Sequence, residues 1–481
     1  MSSSHRTPKP KTGQHSAIPT GDTRAWKDVS SEFTDRRIEL FSETISFDRR
    51  LYEVDIRGSI AHAKMLRDTR ILTEAEYQQI EEGLLDVRRQ IEADEFTFNI
   101  EFEDIHLHIE RALIAKIGDT GRKLHTARSR TDQVVTDMRL WIRDAIDQID
   151  SRLLDVQAAF VERCEEDFDV VLPSYTHMQR AQPVLAPHVW LAYCEKFERD
   201  RQRFKDCRRR VNVLGAAGLA GTSLPIDRFK TAKYLGFEEV AANSLDVFSD
   251  RDFSHEALFC LAQTALHIST LAEEWVIWST AEFNFLRLPQ SFCTGSSIMP
   301  QKINPDVVEL IRGKTARVIG NLQTLLVLSK GLPMVYNRDL QEDKQPIFDS
   351  FDTVEAVLTL MAPLISGTTL NREVIAHRRD HGHLDATTLV EYLISKGVPH
   401  RVAHAIVSRL VRLAMERNVP LAKLPLKDFR EAYDGFDYNV FSLLGAENAV
   451  AAMKSYGSTA PEQVRKQIEH WKTKLSAAYQ G

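Results

Sequence analysis

A long stretch of regularly spaced apolar residues between Thr131 and Pro173 constrains the fold more than any other feature of the sequence. Apolar side chains recur there every three or four residues, with an average spacing of about 3.6, the period of an α-helix. The spacing predicts one straight amphipathic helix, about 60 Å long because each residue adds about 1.5 Å. The residues of its apolar face are Val135, Met138, Ile142, Ala145, Ile149, Leu153, Val156, Phe160 and Cys164.

Such a long helix needs neighbours along most of its length, because its apolar face would otherwise meet water. Further long helical patterns follow at residues 187–213, 253–286, 305–330 and 347–365. Only 21 Gly and 17 Pro occur among the 481 residues, which favours long helices over turn-rich β structure. We therefore predict an all-α protein with a central bundle of long helices.

The same patterns divide the chain into three helical regions and a tail. Residues 1–25 have almost no large apolar side chains, so we predict that this tail is disordered. Residues 26–125 are predicted to form an N-terminal helical domain, residues 126–368 the long-helix bundle, and residues 369–481 a C-terminal helical domain.

Two local signals mark helix ends in the outer regions. Thr73-Glu74-Ala75-Glu76 has the spacing of a capping box, so a helix is predicted to start there and to run to Ala93. Gly397-Val398-Pro399 is typical of a break between two helices.

Charge and cysteine usage exclude several classes of protein. The net charge of −6 argues against nucleic-acid binding, which needs a basic surface. No apolar stretch approaches the roughly 20 residues of a membrane span, and the N-terminus lacks a signal-peptide core. The five cysteines are widely spaced without a CxxC pair, which fits reduced thiols in a cytoplasmic protein and gives no metal-ligand cluster.

The segment from Gly295 to Pro305 has the residues of an anion-binding loop. Gly295 frees the backbone, Ser296 and Ser297 supply hydroxyls, and a cation and an amide follow at Lys302 and Asn304. Spacing alone favours an ordinary surface turn that ends in a helix cap over a catalytic loop.

The loop sequence GSSIMPQKINP resembles the signature of the aspartase/fumarase superfamily. Residues 331–344, GLPMVYNRDLQEDK, are similar to the argininosuccinate lyase branch. Segments 103–106, 124–130 and 176–183 resemble the same branch, so the similarity extends from about Trp26 into the C-terminal region.

This resemblance implies a lyase that releases fumarate from argininosuccinate by β-elimination of the C–N bond, as a step of arginine biosynthesis. It also implies a homotetramer in which each active site is assembled from three subunits. A small-molecule substrate is expected, with no cofactor, metal, nucleic acid or membrane partner.

The chemistry requires a base and a binding site for a growing negative charge. Removal of a weakly acidic proton beside a carboxylate places two negative charges on that carboxyl group, so preorganised donors must stabilise it. The resemblance implies that Ser296 is the base and that Lys302 and Asn304 hold the carboxylate. Such a weak base needs a closed site with a nearby cation and backbone amides, so loop closure over the substrate is expected.

His177, with Thr176 beside it, matches the second catalytic element of the family, which the resemblance pairs with Glu309. Histidine can exchange a proton near neutral pH, as the departing nitrogen requires. An isolated histidine in such a segment is more often a turn residue, and the residues alone do not assign the two protons between Ser296 and His177.

Arg128 and Arg130 precede the long helix, where the helix dipole disfavours cations unless an anion is bound nearby. Solvent-facing arginines around a cap formed by Ser129 and Asp132 are the alternative interpretation. The resemblance implies that residues 128–131, including Thr131, bind the substrate.

Tyr336, Gln341 and Lys344 match the family positions that hold the arginine half of argininosuccinate. Other positions depart from the family pattern: Thr44 replaces a substrate-binding serine and Thr131 a substrate-binding asparagine.

The usual Trp-Gly-Gly-Arg-Phe motif appears as Trp26-Lys27-Asp28-Val29-Ser30, and Ala127 replaces a glycine. These changes surround the substrate, so a lyase for another N-substituted aspartate, such as ethylenediamine-disuccinate, is a second hypothesis. A third is a non-catalytic structural protein, because the fold also occurs as a lens crystallin.

Overall fold

A computed structural model describes residues 35–480. The predicted tail at residues 1–25 and the altered motif at Trp26–Ser30 lie outside these residues. The chain forms two compact units, the first ending at Thr126 and the second beginning at Ala127. The domain limits drawn from the sequence, after residues 125 and 368, stay predictions.

The first unit is helical in its described part. Thr73 caps the fourth helix with both bonds of a capping box, because its hydroxyl accepts from the Glu76 N–H and the Glu76 carboxylate accepts from the Thr73 N–H. This helix ends at Glu92, close to the predicted end. The α-helices are α1 Arg36–Ser42, α2 Ile45–Asp48, α3 Tyr52–Asp68, α4 Glu74–Glu92, α5 Ile105–Ile117 and α6 Asp119–Arg122.

The second unit contains all five predicted long helices. Its α-helices are α7 Arg130–Glu166, α8 Ala186–Val211, α9 Arg228–Leu235, α10 Ser244–Ser249, α11 Asp252–Ser279, α12 Asp306–Ser329, α13 Lys344–Gly367, α14 Arg372–Asp380, α15 Ala386–Ser395, α16 His400–Glu416, α17 Leu426–Ala432, α18 Ala446–Ala452 and α19 Pro461–Gln480. Short 3-10 turns occur in both units, at Arg49–Leu51, Ile100–Phe102, Lys123–His125, Gln290–Phe292, Arg338–Asp343, Leu421–Lys423 and Tyr438–Ser442.

The five longest helices of this unit pack side by side, with α7 against α8 and α13, and α11 against α8 and α12. Every residue of the apolar face predicted for α7 is buried. The prediction of a mostly helical protein with a bundle of long helices is therefore confirmed. In addition, α15 and α16 are separate helices on either side of Gly397-Val398-Pro399, and they contribute to a local core.

Four short two-stranded sheets interrupt the helices of the second unit. The pairs β1–β2, β5–β8 and β6–β7 are antiparallel, and β3–β4 is parallel. The strands are β1 Val171–Thr176, β2 Gln179–Leu185, β3 Val213–Leu214, β4 Glu239–Val240, β5 Leu286–Arg287, β6 Thr294–Gly295, β7 Ile303–Asn304 and β8 Thr369–Leu370. In the described part of the chain, no helix combines the length and the apolar character needed to cross a membrane.

Candidate active site

The loop between Gly295 and Pro305 is a small hairpin that leads into α12. Thr294 pairs with Asn304 and Gly295 with Ile303 across its two strands. The hydroxyl of Thr294 donates to the carboxylate of Asp306, the first residue of α12. The helix thus begins one residue later than predicted, with Pro305 at its N-cap, and a side-chain bond closes the base of the loop.

Within this loop, Ser296 is surrounded by backbone donors. Its Oγ accepts from the N–H of Met299 at 3.0 Å and from the N–H of Ile298 at 3.3 Å. Hydrogen bonds to an oxygen stabilise negative charge on it, so this geometry favours the deprotonated serine. Lys302, on the same loop, is exposed and Asn304 is half-buried.

His177 lies at the tip of the β1–β2 hairpin. Thr176 pairs with Gln179, and the two residues between them, His177 and Met178, have φ values of 53° and 58°. Positive φ at both central residues is the mark of a type I′ turn, which usually contains Asn or Gly. The turn projects the exposed His177 away from the strands.

Within the described residues of one chain, the groups predicted to transfer protons are not hydrogen-bonded to one another. Across residues 35–480, no hydrogen bond or ion pair joins any two of the side chains of Ser296, His177 and Glu309. The structure therefore brings Ser296, Lys302 and Asn304 together on one loop, and Thr176 and His177 on another.

The segment from Arg128 to Thr131 leads into α7. Ser129 occupies the N-cap position without a side-chain capping bond, and its N–H donates to the carbonyl of Ala217 at 2.7 Å. Arg130 donates to Gln133 at 2.7 Å. The preceding Ala127 has a φ of 55°, a region that suits glycine better than alanine.

The alternative cap formed by Ser129 and Asp132 is wrong, because the Asp132 carboxylate is engaged elsewhere. It accepts from the N–H of Ala216 at 2.9 Å, and burial raises its pKa. A Cβ at Gly215 would lie 2.0 Å from Asp132 Oδ1, so only glycine permits this approach.

Thr44 is buried in the first unit, next to a carboxylate. Its hydroxyl donates to Asp48 Oδ2 at 2.6 Å, while Asp48 Oδ1 accepts from the N–H of Ile105 at 3.2 Å. The hydroxyl hydrogen is thereby used within the protein, which leaves the oxygen of Thr44 to accept from a ligand. The sequence reasoning missed Asp48, although it follows Thr44 by one helical turn.

A buried charge cluster surrounds Lys344. Its Nζ lies 3.2 Å from Asp343 Oδ1, and Arg251 Nε donates to the other oxygen of Asp343 at 3.3 Å. All three side chains are buried, so two cations share one carboxylate. Burial raises the pKa of Tyr336, and the charge of Lys344 opposes that rise. The sequence reasoning missed Arg251, because an arginine between two aspartates looks like part of an ordinary mixed-charge surface segment.

Family comparisons agree with these features along most of the chain. A family model described as Lyase matches residues 30–320, and one described as Argininosuccinate lyase C-terminal matches residues 383–451. The chain is 58% identical to argininosuccinate lyase of Rhodopirellula baltica, over 92% of this chain and 97% of that protein. It is 48% identical to the chloroplastic argininosuccinate lyase of Arabidopsis thaliana, over 95% of this chain and 88% of that protein.

Solved structures share the fold. An EDDS lyase variant with bound fumarate superposes with a TM-score of 0.81 at 27% identity, covering 89% of this chain and 86% of that one. A class II fumarase from Schistosoma mansoni superposes with a TM-score of 0.68 at 16% identity, covering 81% and 91%. On the sequence matches over nearly its whole length, the chain belongs to the argininosuccinate lyase family.

Proposed function

We propose that this carbon–nitrogen lyase cleaves argininosuccinate into arginine and fumarate by β-elimination. The similarity to argininosuccinate lyases is 46–58% in identity, against 27–28% for the EDDS lyases. The second hypothesis, a lyase for ethylenediamine-disuccinate or a similar compound, is not favoured by this difference. A purely structural role is not favoured either, because every side chain required for elimination is present.

One observation carries the mechanism: the Ser296 oxygen accepts two backbone N–H groups. In the proposed reaction, this oxygen removes a proton from the carbon beside the substrate carboxylate. The electron pair of that C–H bond moves into the carboxyl group, and Lys302 and Asn304 stabilise the resulting charge. The same pair then forms the double bond of fumarate as the C–N bond breaks.

His177 is proposed to protonate the departing nitrogen, with Glu309 of the family pattern orienting it. A histidine is suited to this step because it can hold a proton near neutral pH. In this scheme the base and the acid lie on two separate loops, so their relative position determines the rate.

The remaining predicted residues are proposed to bind the two ends of the substrate. Residues 128–131 and Thr176 would contact the dicarboxylate half, to which Arg128 and Arg130 offer positive charge. Tyr336, Gln341 and Lys344 would hold the arginine half, and the excess positive charge of the Arg251–Asp343–Lys344 cluster suits its carboxylate. Thr44, as an acceptor, would contact an N–H group of the substrate.

We also propose a homotetramer with shared active sites. Only five of the 24 residues of α12 are buried in one chain. Leu310, Leu326 and Val327 on this helix are each more than half exposed, although half of the helix sequence is apolar. Partner subunits that cover α12 would bury these side chains and would bring Ser296 to a His177 of another chain. A cytoplasmic location is proposed as well, since all five cysteines are free thiols.

The test is a substrate panel with the purified protein. Argininosuccinate, ethylenediamine-disuccinate and N-methylaspartate would be supplied in turn, and fumarate would be followed by its ultraviolet absorbance. We expect turnover of argininosuccinate alone; turnover of ethylenediamine-disuccinate with an inert argininosuccinate would contradict the proposal. Native mass spectrometry should give a mass of four chains, and an active monomer would exclude the shared site.

A further inference from the structure

The strands of the hairpin that carries His177 pair irregularly in their middle, where a hydrogen bond from the Ser174 hydroxyl to the Gln182 carbonyl joins them. Pro173 pairs with Pro183, and neither residue has an N–H to donate across the strands. The register then shifts between Pro173 and Tyr175, so the last pairs before the turn follow an irregular ladder. With two non-glycine residues at positive φ in the turn, the tip of this hairpin needs support from outside the sheet.

That support comes from α14, which lies beside the hairpin. Near the start of α14, Arg372 contacts both carboxylate oxygens of Asp169 at 2.6 and 2.7 Å and the carbonyl of Glu166 at 2.8 Å. Asp169 lies just before β1, at the base of the hairpin. The helix is therefore fixed to the hairpin at its first turn.

At the other end of α14, the contact is made by Arg180 of β2. Its Nη1 donates to the carbonyl of Arg378 at 2.7 Å and to the carbonyl of His381 at 2.9 Å. Carbonyl groups at the carboxyl end of a helix have partial negative charge, so they are suitable acceptors for a guanidinium. Arg180 pairs with Tyr175 across the hairpin and is three residues from His177.

We propose that Arg180 is a positioning residue that fixes the turn carrying His177 against the carboxyl end of α14. This inference rests on the proposed role of His177 as the group that protonates the leaving nitrogen. Arg180 acts through the hairpin backbone and does not contact the substrate. The C-terminal segment that forms α14 thereby contributes to catalysis without contributing a catalytic side chain.

Kinetics of Arg180→Gln test the proposal. A displacement of about 1 Å in a catalytic group can lower a rate by about 10²-fold, so we expect kcat to fall by about tenfold with KM nearly unchanged. Arg180→Lys can still donate to one carbonyl and should retain an intermediate kcat. The pH dependence of kcat should also change in Arg180→Gln, because the surroundings of His177 change.

Arg409→Gln is the matched control. Arg409 is also exposed and donates to a backbone carbonyl of another element, that of Ala432 at 2.9 Å, but it does not contact the hairpin. We expect wild-type kcat for this variant. A wild-type kcat and pH profile in Arg180→Gln, or an equal loss in both variants, would overturn the proposal.

Amide hydrogen exchange separates this inference from the proposed function. In Arg180→Gln, the amides of residues 176–180 should exchange faster than in the wild type, whereas in Arg409→Gln they should not. This measurement needs no turnover, so an inactive wild type would refute the proposed function and leave the positioning role testable. Unchanged exchange at residues 176–180 would refute the positioning role even in an active enzyme.

Discussion

Two hairpins of the second unit present the two groups proposed to transfer protons, and they are held in different ways. The β1–β2 hairpin has strands of six and seven residues and is fixed to α14 at both ends of that helix. The β6–β7 hairpin has strands of two residues each, and one side-chain bond, from Thr294 to Asp306, links its base to α12. Ile298 and Ile303 on this second hairpin are 86% and 63% exposed.

The difference suggests a division of roles between the two loops. Preorganised donors stabilise a carboxylate dianion most strongly where water is excluded, so we expect one part of the site to close after the substrate enters. The short hairpin with exposed apolar side chains is suited to that movement, because closure would bury them. The β1–β2 hairpin, called the braced hairpin below because α14 supports it, is suited to hold His177 at a fixed position toward which Ser296 moves.

Replacement of Ser296 should have the largest effect. We expect Ser296→Ala to lower kcat by roughly 10²–10⁴-fold, because the proton-abstracting oxygen is lost while the loop backbone is kept. Binding of fumarate, measured by calorimetry, should change little. Ser297→Ala, one residue along the same exposed loop, is the control and should remain active; full activity in Ser296→Ala would assign the base to another group.

Loss of the bond at the base of the short hairpin should have an intermediate effect. Thr294→Val keeps the side-chain shape but removes the hydroxyl that contacts Asp306. We expect kcat to fall by about tenfold because Ser296 is less well placed on closure. Thr294→Ser restores the hydroxyl and should restore most of the activity. Wild-type kcat in Thr294→Val together with a loss in Thr294→Ser would show that packing of the methyl group matters instead.

The smallest effect is expected at the base of the braced hairpin. Arg372 is half-exposed, and exposed ion pairs contribute about 0.2–1 kcal/mol, so Arg372→Gln should lower the free energy of unfolding by that amount in a urea titration. Its kcat should fall less than that of Arg180→Gln, since Arg372 is far along the strands from the turn. A larger loss of kcat in Arg372→Gln than in Arg180→Gln would show that the hairpin is supported mainly at the end of its strands away from the turn.

The pH dependence of this small effect has a definite sign. The hydrogen bond from Arg372 lowers the pKa of Asp169 below its usual value of 3.8. Because the folded pKa is the lower one, the contribution of the pair is complete above pH 3.8 and is lost as the pH falls through the folded pKa. The stability difference between wild type and Arg372→Gln should therefore shrink in acid below about pH 3.8.

The helices could be predicted from the sequence because their apolar period is a local property. The long pattern from Thr131 corresponds to α7, which begins at Arg130 and ends at Glu166. The pattern at 253–286 runs past the end of α11 at Ser279, because apolar residues continue into a turn at Asn284, which has a φ of 51°. Apolar spacing indicates burial, and it does not by itself show where backbone hydrogen bonding stops.

The β1–β2 hairpin could not be predicted in the same way. Its two prolines and its His177-Met178 turn lack the usual signals of a hairpin, and its support comes from α14, about two hundred residues later in the chain. Similarly, a family resemblance was enough to propose Ser296 as the base, but the two N–H groups that donate to its oxygen could be identified only from the structure. Contacts between distant segments depend on the whole fold, which no local pattern encodes.

The position of α14 in the chain also has a consequence for protein synthesis. Every residue predicted to bind or transform the substrate lies before Arg372, so a ribosome has delivered all of them before α14 is made. At that stage the nascent chain contains every predicted site residue but lacks α14, which supports the hairpin that carries His177. Synthesis of α14, rather than arrival of the last predicted site residue, would then be the step that allows this chain to hold the His177 turn in place.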